Sequence, residues 1–297
     1  MPELKNGDSE AQQTPYDGII PTGWLTAYNR TFTDIPYARE VYDELVAVGE
    51  EQAAKAFEEM KDTKMAPQFE ARYILIDKLI RPTGLKQIME VAAGLSTRGM
   101  EMTSDGSISY VEVELPQMAD DKRKVIEALE QKRVFPNRPN LHIENGSATD
   151  SDSLAQAARH FNSEEPILVV NEGLLRYLDF DDKTQYAKNV HELLQRFGGA
   201  WITSDISLPK VVYKEDELMS ERRRKMSEIT GVNIAGNLFK DVHDAKQFFE
   251  KLGFSVESHS FLEVVDQLVS PERLGLDKDY VEAINQSAVV FVMRPVN

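Results

Sequence analysis

The stretch Gln87 to Gly99, QIMEVAAGLSTRG, constrains the fold of this chain most. Ile88-Met89-Glu90-Val91 reads as a short apolar strand, it breaks at Ala92-Ala93-Gly94, and a helix is expected to begin near Ser96. A strand, a small-residue turn and a helix start make the opening unit of a nucleotide-binding α/β domain. Ala92, Ala93 and Gly94 keep bulky side chains out of the turn, so backbone can approach a ligand closely. Glu90 stands near the carboxyl end of the strand, where open parallel sheets bind their ligands. Of a G-x-G-x-x-G fingerprint only Gly94 and Gly99 are present, and an acid precedes the turn. An acid repels a pyrophosphate but suits a ligand with a positive charge and hydroxyls, and S-adenosylmethionine is such a ligand. A tight strand-to-helix turn with no ligand fits the same residues.

The alternation continues down the chain. SISYVEVELP is the expected second strand, with Tyr110, Glu112 and Glu114 on one face and Val111, Val113 and Leu115 on the other. Glu114 falls at its carboxyl end, about where an acid binds ribose hydroxyls in such folds; a solvated edge carboxylate is the plain alternative. A helix is expected over Asp121 to Arg133 and a third strand at Leu141-His142-Ile143. A small-residue loop with Ser147 and Ala148 follows, and Asp150 or Ser151 caps the next helix. Pro166 to Glu172 is the clearest strand, apolar throughout as a central parallel strand should be, and it ends on Asn171 and Glu172. The helix Asp181 to Arg196 stops at Gly198-Gly199, and Trp201 to Asp205 is a fifth strand, again with an acid at its tip. Strands at Phe254 to Glu257 and Ala288 to Arg294 complete the set.

Residues 1 to about 20 read as a loose tail, and one domain spans 21–297, with a helical lid-like segment at 21–65 and a cap insert at 207–240. The basic run Glu221 to Lys225 in that insert reads as a solvated helix face. In APQFEARYILIDKLI, Phe69, Tyr73, Ile76, Leu79 and Ile80 make one apolar stripe with Arg72 inside it. An arginine so placed needs a partner: either a structural acid or the carboxylate of a ligand.

The chain has 297 residues and no cysteine, which excludes disulfides, thiolate catalysis and zinc–thiolate sites. Its five histidines show no metal-ligand spacing, so no metal is expected. A formal charge of −16 argues against general binding to nucleic acid or anionic membrane. With no apolar leader and no long apolar run, a cytoplasmic location is expected.

Taken together, TDIPYA at 33–38, Arg72 with Asp77, EVAAGLSTRG at 90–99, YVEVELP at 110–116 and NEGLLRYL at 171–178 resemble a known family. They look like the class I methyltransferases of the leucine carboxyl methyltransferase and tetracenomycin polyketide O-methyltransferase group. The resemblance implies an α/β, Rossmann-like seven-stranded sheet with its last strand antiparallel, and S-adenosylmethionine as cofactor at the strand tips. Carried over by position, it implies that Arg72 holds the methionine carboxylate, Ala92 and Gly94 pass close to the cofactor, and Glu114 binds the ribose. It likewise implies that Ser147 and Ala148 flank the adenine and that Glu172 faces the methionyl amino group. The family commonly has Gly where Ala92 stands, Asp where Glu114 stands and Asp-Leu where Ser147-Ala148 stands. Methyl transfer to an oxygen of a small-molecule or peptide carboxylate or phenol is then expected, with Asn171, Tyr177 and Asp205 on the substrate side. For a phenol, His243 or a lid residue is a candidate base. The rivals are a degenerate methyltransferase fold acting as an interaction module, and a nicotinamide-dependent oxidoreductase.

Overall fold

The computed structural model describes residues 17–49, 51–206 and 224–296. Its centre is a seven-stranded sheet of β1 (Gln87–Val91), β2 (Ser109–Glu114), β3 (Leu141–Asn145), β4 (Ile167–Asn171), β5 (Gly199–Thr203), β6 (Phe254–Ser260) and β7 (Val289–Pro295). The order is β3-β2-β1-β4-β5-β7-β6, with β1 to β5 parallel and β7 antiparallel to both of its neighbours. This is the expected Rossmann-like methyltransferase sheet. The chain reverses direction across the sheet between β1 and β4, and crevices at such switch points bind ligands in α/β folds.

The helices are α1 (Ile20–Arg30), α2 (Ala38–Val48), α3 (Glu51–Met60), α4 (Ala66–Ile80), α5 (Arg98–Met102), α6 (Pro116–Gln131), α7 (Ser151–Ala157) and α8 (Phe180–Phe197). A helical stretch over 224–230 (α9) precedes α10 (Val242–Lys251), α11 (Ser270–Leu274) and α12 (Lys278–Asn285). Alternation along the strands splits the core into two layers. Met89, Val91, Val111, Val113 and Trp201 pack with α7, α8 and α10. Ile88, Tyr110, Leu168, Val170 and Ile202 pack with α4 and the 3-10 turn Phe261–Gln267. A third cluster joins Trp24, Leu25, Val41, Leu45 and Phe57 of the N-terminal helices to Met118, Val125 and Leu129 of α6.

Most expected elements appear within a few residues, and three differences have clear causes. The helix after β1 starts at Arg98 rather than Ser96 and is short, because the turn continues through Ser96 and Thr97. The helix expected from Asp121 starts at Pro116, since a proline suits the first turn, where its missing N–H costs nothing. The polar face of β2 is not solvated: Tyr110 and Glu112 are fully buried and Glu114 nearly so, because helices cover both faces of a parallel sheet. Lys122 on α6 meets Glu112 at 2.5 Å and donates to the Ser96 carbonyl at 2.7 Å. Asp150 caps α7 as expected, accepting from the N–H groups of Asp152 and Ser153. Asp17–Ile19 is a 3-10 turn leading directly into α1. Residues 1–16 of the expected tail and residues 207–223 of the expected cap, including most of the basic run, lie outside the described residues.

Candidate functional site

A cleft of about 1240 Å³, open solvent included, lies over the carboxyl ends of β1, β2 and β4. Its floor is the turn Ala92 to Ser96, its ends are Ser147-Ala148 and the segment Glu172 to Leu178, and α1 and Met226 cover it. The turn has the conformation that its small residues allow. Ala92 has φ 55° and Gly94 φ 52°, both left-handed. At Ala92 the methyl group makes this cost about 1 kcal/mol, whereas glycine adopts it freely. A Cβ built on Gly94 would meet nothing within 4 Å, so open space lies beside this backbone.

Glu114 organises one side of the cleft. Its Oε2 accepts the Gly94 N–H at 2.7 Å and its Oε1 accepts the Leu115 N–H at 2.8 Å. The longer side chain thus folds back to brace the β1 turn while still lining the cleft. Burial raises its pKa above the usual carboxylate range, against the two backbone N–H groups that favour the charged form.

The other side is an ion network centred on Glu172. Its Oε1 receives Arg30, and also Arg72 through Nε at 2.9 Å and Nη2 at 2.8 Å; its Oε2 receives Arg98 at 3.0 Å. Arg98 is fully buried and meets Asp77 at 2.6 Å and Glu90 at 2.5 Å, with its guanidinium 4.4 Å from the Tyr73 ring centroid. Burial alone would raise the pKa of Glu172, but the three guanidinium groups hold it far below the usual carboxylate range. Arg30 and Arg72 line the cleft while sharing one carboxylate oxygen, and the buried Nε of Arg30 has no hydrogen-bond partner among the described residues. That orphan donor, the cations around it and the open backbone at Gly94 fit a ligand with a carboxylate at one end.

The structure brings Arg72, Ala92, Gly94, Glu114, Ser147, Ala148, Glu172 and Tyr177 to this cleft. It does not bring Glu90, Asn171 or Asp205 there. Glu90 is fully buried, with one oxygen on Arg98 and the other accepting the Tyr110 hydroxyl at 2.7 Å. Asn171 donates to Thr203 Oγ1 at 2.9 Å and Asp205 Oδ2 at 2.8 Å, and accepts from Trp201 Nε1 at 2.7 Å. Asp205 accepts the N–H groups of Gly173, Leu174 and Leu175. These two strand-tip residues are consumed in shaping the turn after β4, because the N–H groups of a buried turn need acceptors. His243 lies on α10 beside Gln247 and also stays outside the cleft. Arg30, Arg98 and Arg176 were not anticipated. Arg98 carried a faint signal, since a cation in the first turn of a helix opposes the dipole and so points to a tertiary partner. Arg30 closes α1, an ordinary place for a cation, and gave none.

Two buried acids give the fold a pH dependence. Burial pushes Asp77 up to about 6 despite Arg98, and Glu112 up to about 7 despite Lys122. The native state therefore holds these protons more tightly than the unfolded chain does. Their stabilisation is fully present below about pH 4 and is lost as pH rises through 6 and 7, each contributing on the order of 3 kcal/mol. Glu172 acts in the opposite sense, losing its contribution only as pH falls below the ordinary carboxylate range. The urea midpoint is expected to decline between pH 5 and 8, and a midpoint that rises across this interval would contradict the assignment.

The family model for leucine carboxyl methyltransferase matches residues 30–191, more than half of the chain. No curated protein matches it. Among solved structures, it is similar to a DUF574-family protein of Streptomyces avermitilis, with TM-score 0.54 and 12% identity over 93% of this chain and 97% of that one. It is similar to a candidate O-methyltransferase of Nostoc punctiforme, with TM-score 0.50 and 13% identity over 94% of this chain and 72% of that one. It is also similar to phosphoethanolamine N-methyltransferase 2 of Haemonchus contortus in complex with S-adenosyl-L-methionine, with TM-score 0.51 and 9% identity over 86% of this chain and 60% of that one. At such identities the structures speak to fold alone.

Proposed function

The chain belongs to the leucine carboxyl methyltransferase family, an S-adenosylmethionine-dependent family, and from that premise we propose that it methylates a carboxylate oxygen of a small molecule or peptide. The observation that carries the choice of acceptor is that, among the described residues, the cleft holds no unengaged base. Among the described residues no histidine lines the cleft, and its two carboxylates are engaged, Glu172 by three arginines and Glu114 by two backbone N–H groups. A phenol, with a pKa near 10, needs a base at neutral pH, whereas a carboxylate near 4 is already ionised.

In this reading Arg72 and Arg30 hold the methionine carboxylate, Glu114 takes the ribose hydroxyls, and Ser147 and Ala148 flank the adenine. S-adenosylmethionine, when bound, supplies a methyl group on a positively charged sulfur. The protein's own work is alignment: the braced β1 turn and the arginine network fix one partner, and α1 with Met226 forms a further wall of the cleft. Positioning of this kind is worth roughly 7–11 kcal/mol.

Calorimetric titration of S-adenosylmethionine and S-adenosylhomocysteine into the purified protein tests this. Saturable binding is expected, and Glu114→Ala should weaken it by about tenfold, the worth of a charged hydrogen-bond acceptor. No heat with the wild type would sink the methyltransferase reading and leave an interaction module. The acceptor class is read by incubating methyl-labelled cofactor with carboxylate and phenol panels; base-labile label is the mark of an ester.

A further inference from the structure

The cleft contains a cation that the cofactor does not account for. Its charged lining residues are Arg30, Arg72, Arg176, Glu114 and Glu172. Arg30 and Arg72 are bound to Glu172, and Glu114 to backbone. Arg176 has no acidic partner among the described residues, and its Nε is buried without a hydrogen-bond acceptor. A buried donor of this kind is costly unless something fills it. In a chain of formal charge −16, an arginine that lines a cleft with no acid against it among the described residues suits an anion from outside.

Along β3-β2-β1-β4 the cleft presents Ser147-Ala148, then Glu114, then the β1 turn, then Glu172. In the methyl-transfer reading above, adenine, ribose and methionine ends follow in that order, and the cofactor ends at Arg72 and Glu172. Arg176 lies four residues past Glu172, beside Tyr177, whose hydroxyl is 3.8 Å from the Met226 sulfur. In the methyl-transfer reading this segment, past the methionine end of the cofactor, is the acceptor side of the cleft.

We propose that Arg176 is the specificity-determining residue for the acceptor, its guanidinium on the cleft wall holding one oxygen of the acceptor's carboxylate while the other oxygen faces the methyl group. This rests on the methyl-transfer reading above. In the step the carboxylate oxygen forms the new C–O bond, the methyl–sulfur bond breaks, and its electron pair remains on sulfur. No proton moves, so no base is required. The ester product is neutral, which removes the charge that Arg176 held and favours release. Uncharged phenols gain nothing from Arg176, and ammonium groups are repelled by it.

The test uses protein saturated with S-adenosylhomocysteine, which engages Arg30 and Arg72, and titrates it with acetate and benzoate, each against its uncharged amide. At least one carboxylate is expected to bind saturably and its amide not to. Arg176→Met should weaken carboxylate binding by about tenfold or more, and Arg176→Lys by less, because the charge stays while the planar guanidinium fork is lost. Affinity for S-adenosylhomocysteine should stay within about twofold in both variants, which also reports that they fold. The proposal is overturned if neither carboxylate binds the wild type, if the amides bind as well, or if Arg176→Met binds carboxylates unchanged. Failure of the wild type to bind S-adenosylhomocysteine is a separate readout and removes the methyltransferase reading itself.

Discussion

Replacing Arg98 by leucine is expected to destabilise the protein by about 3–5 kcal/mol, the cost of stranding buried charges. The side chain is fully buried and holds three acids at once: Asp77, Glu90 and Glu172. Leucine would fill part of the space but leave Glu90 with only the Tyr110 hydroxyl and Asp77 without the cation that opposes its desolvation. For a chain of this size the thermal midpoint should fall by roughly 10 °C or more. Lysine is expected to recover only part of the loss, since one ammonium cannot reach three carboxylates in a fixed fork. The loss should shrink near pH 5, where Asp77, at about 6, is protonated and no longer needs a counter-charge. Circular-dichroism melts of both variants at pH 5 and 8 check this. A leucine variant within 1 kcal/mol of the wild type, an amount typical of exposed pairs, would refute the view that Arg98 anchors the network.

Arg72→Ala should lower the affinity for S-adenosylmethionine and S-adenosylhomocysteine by about a hundredfold, the worth of a forked arginine–carboxylate contact in a desolvated site. Arg72 lines the cleft and spends Nε and Nη2 on Glu172, while its guanidinium passes 3.9 Å from where a Cβ on Gly173 would stand. Arg72 is more informative than Glu172 as a target. Without Arg72, Glu172 keeps Arg30 and Arg98, so the fold should lose only a few degrees of thermal midpoint. Without Glu172, three cations lose their common partner, and lost binding would be confounded with lost structure. Calorimetry alongside a melt of the same sample separates the two. An affinity for both ligands within a few-fold of wild type would remove Arg72 from the site.

The sheet was legible because its signals are local. The apolar run of β4, the alternation of β2 and the Gly198 stop after α8 each depend on neighbours within a few residues. Arg72 was legible as an arginine inside the apolar stripe of α4 that needs a partner, and of its two possible partners, a structural acid or a ligand carboxylate, the structure shows the first. It pairs with Glu172, 100 residues away, and also lines the cleft. The rule that strand-tip polar residues form sites sorted poorly. Glu114 and Glu172 reach the cleft, whereas Asp205 accepts the backbone N–H groups of the turn after β4 and Asn171 donates to Asp205.

What the residues determined by themselves was the kind of fold and the place of the cleft, because hydrophobic period, helix stops and a small-residue turn act over a few positions of chain. What only the tertiary structure decided was which charges face a ligand and which face each other. Arg30 meets Glu172 across 142 residues, and Arg98 meets Asp77 across 21. A carboxylate at a strand tip looks the same in sequence whether its partner is a backbone N–H, a guanidinium or an incoming ligand. The difference lies in what long-range packing places within hydrogen-bond reach, and burial then makes that choice decisive, since a desolvated charge must be matched by whatever stands beside it.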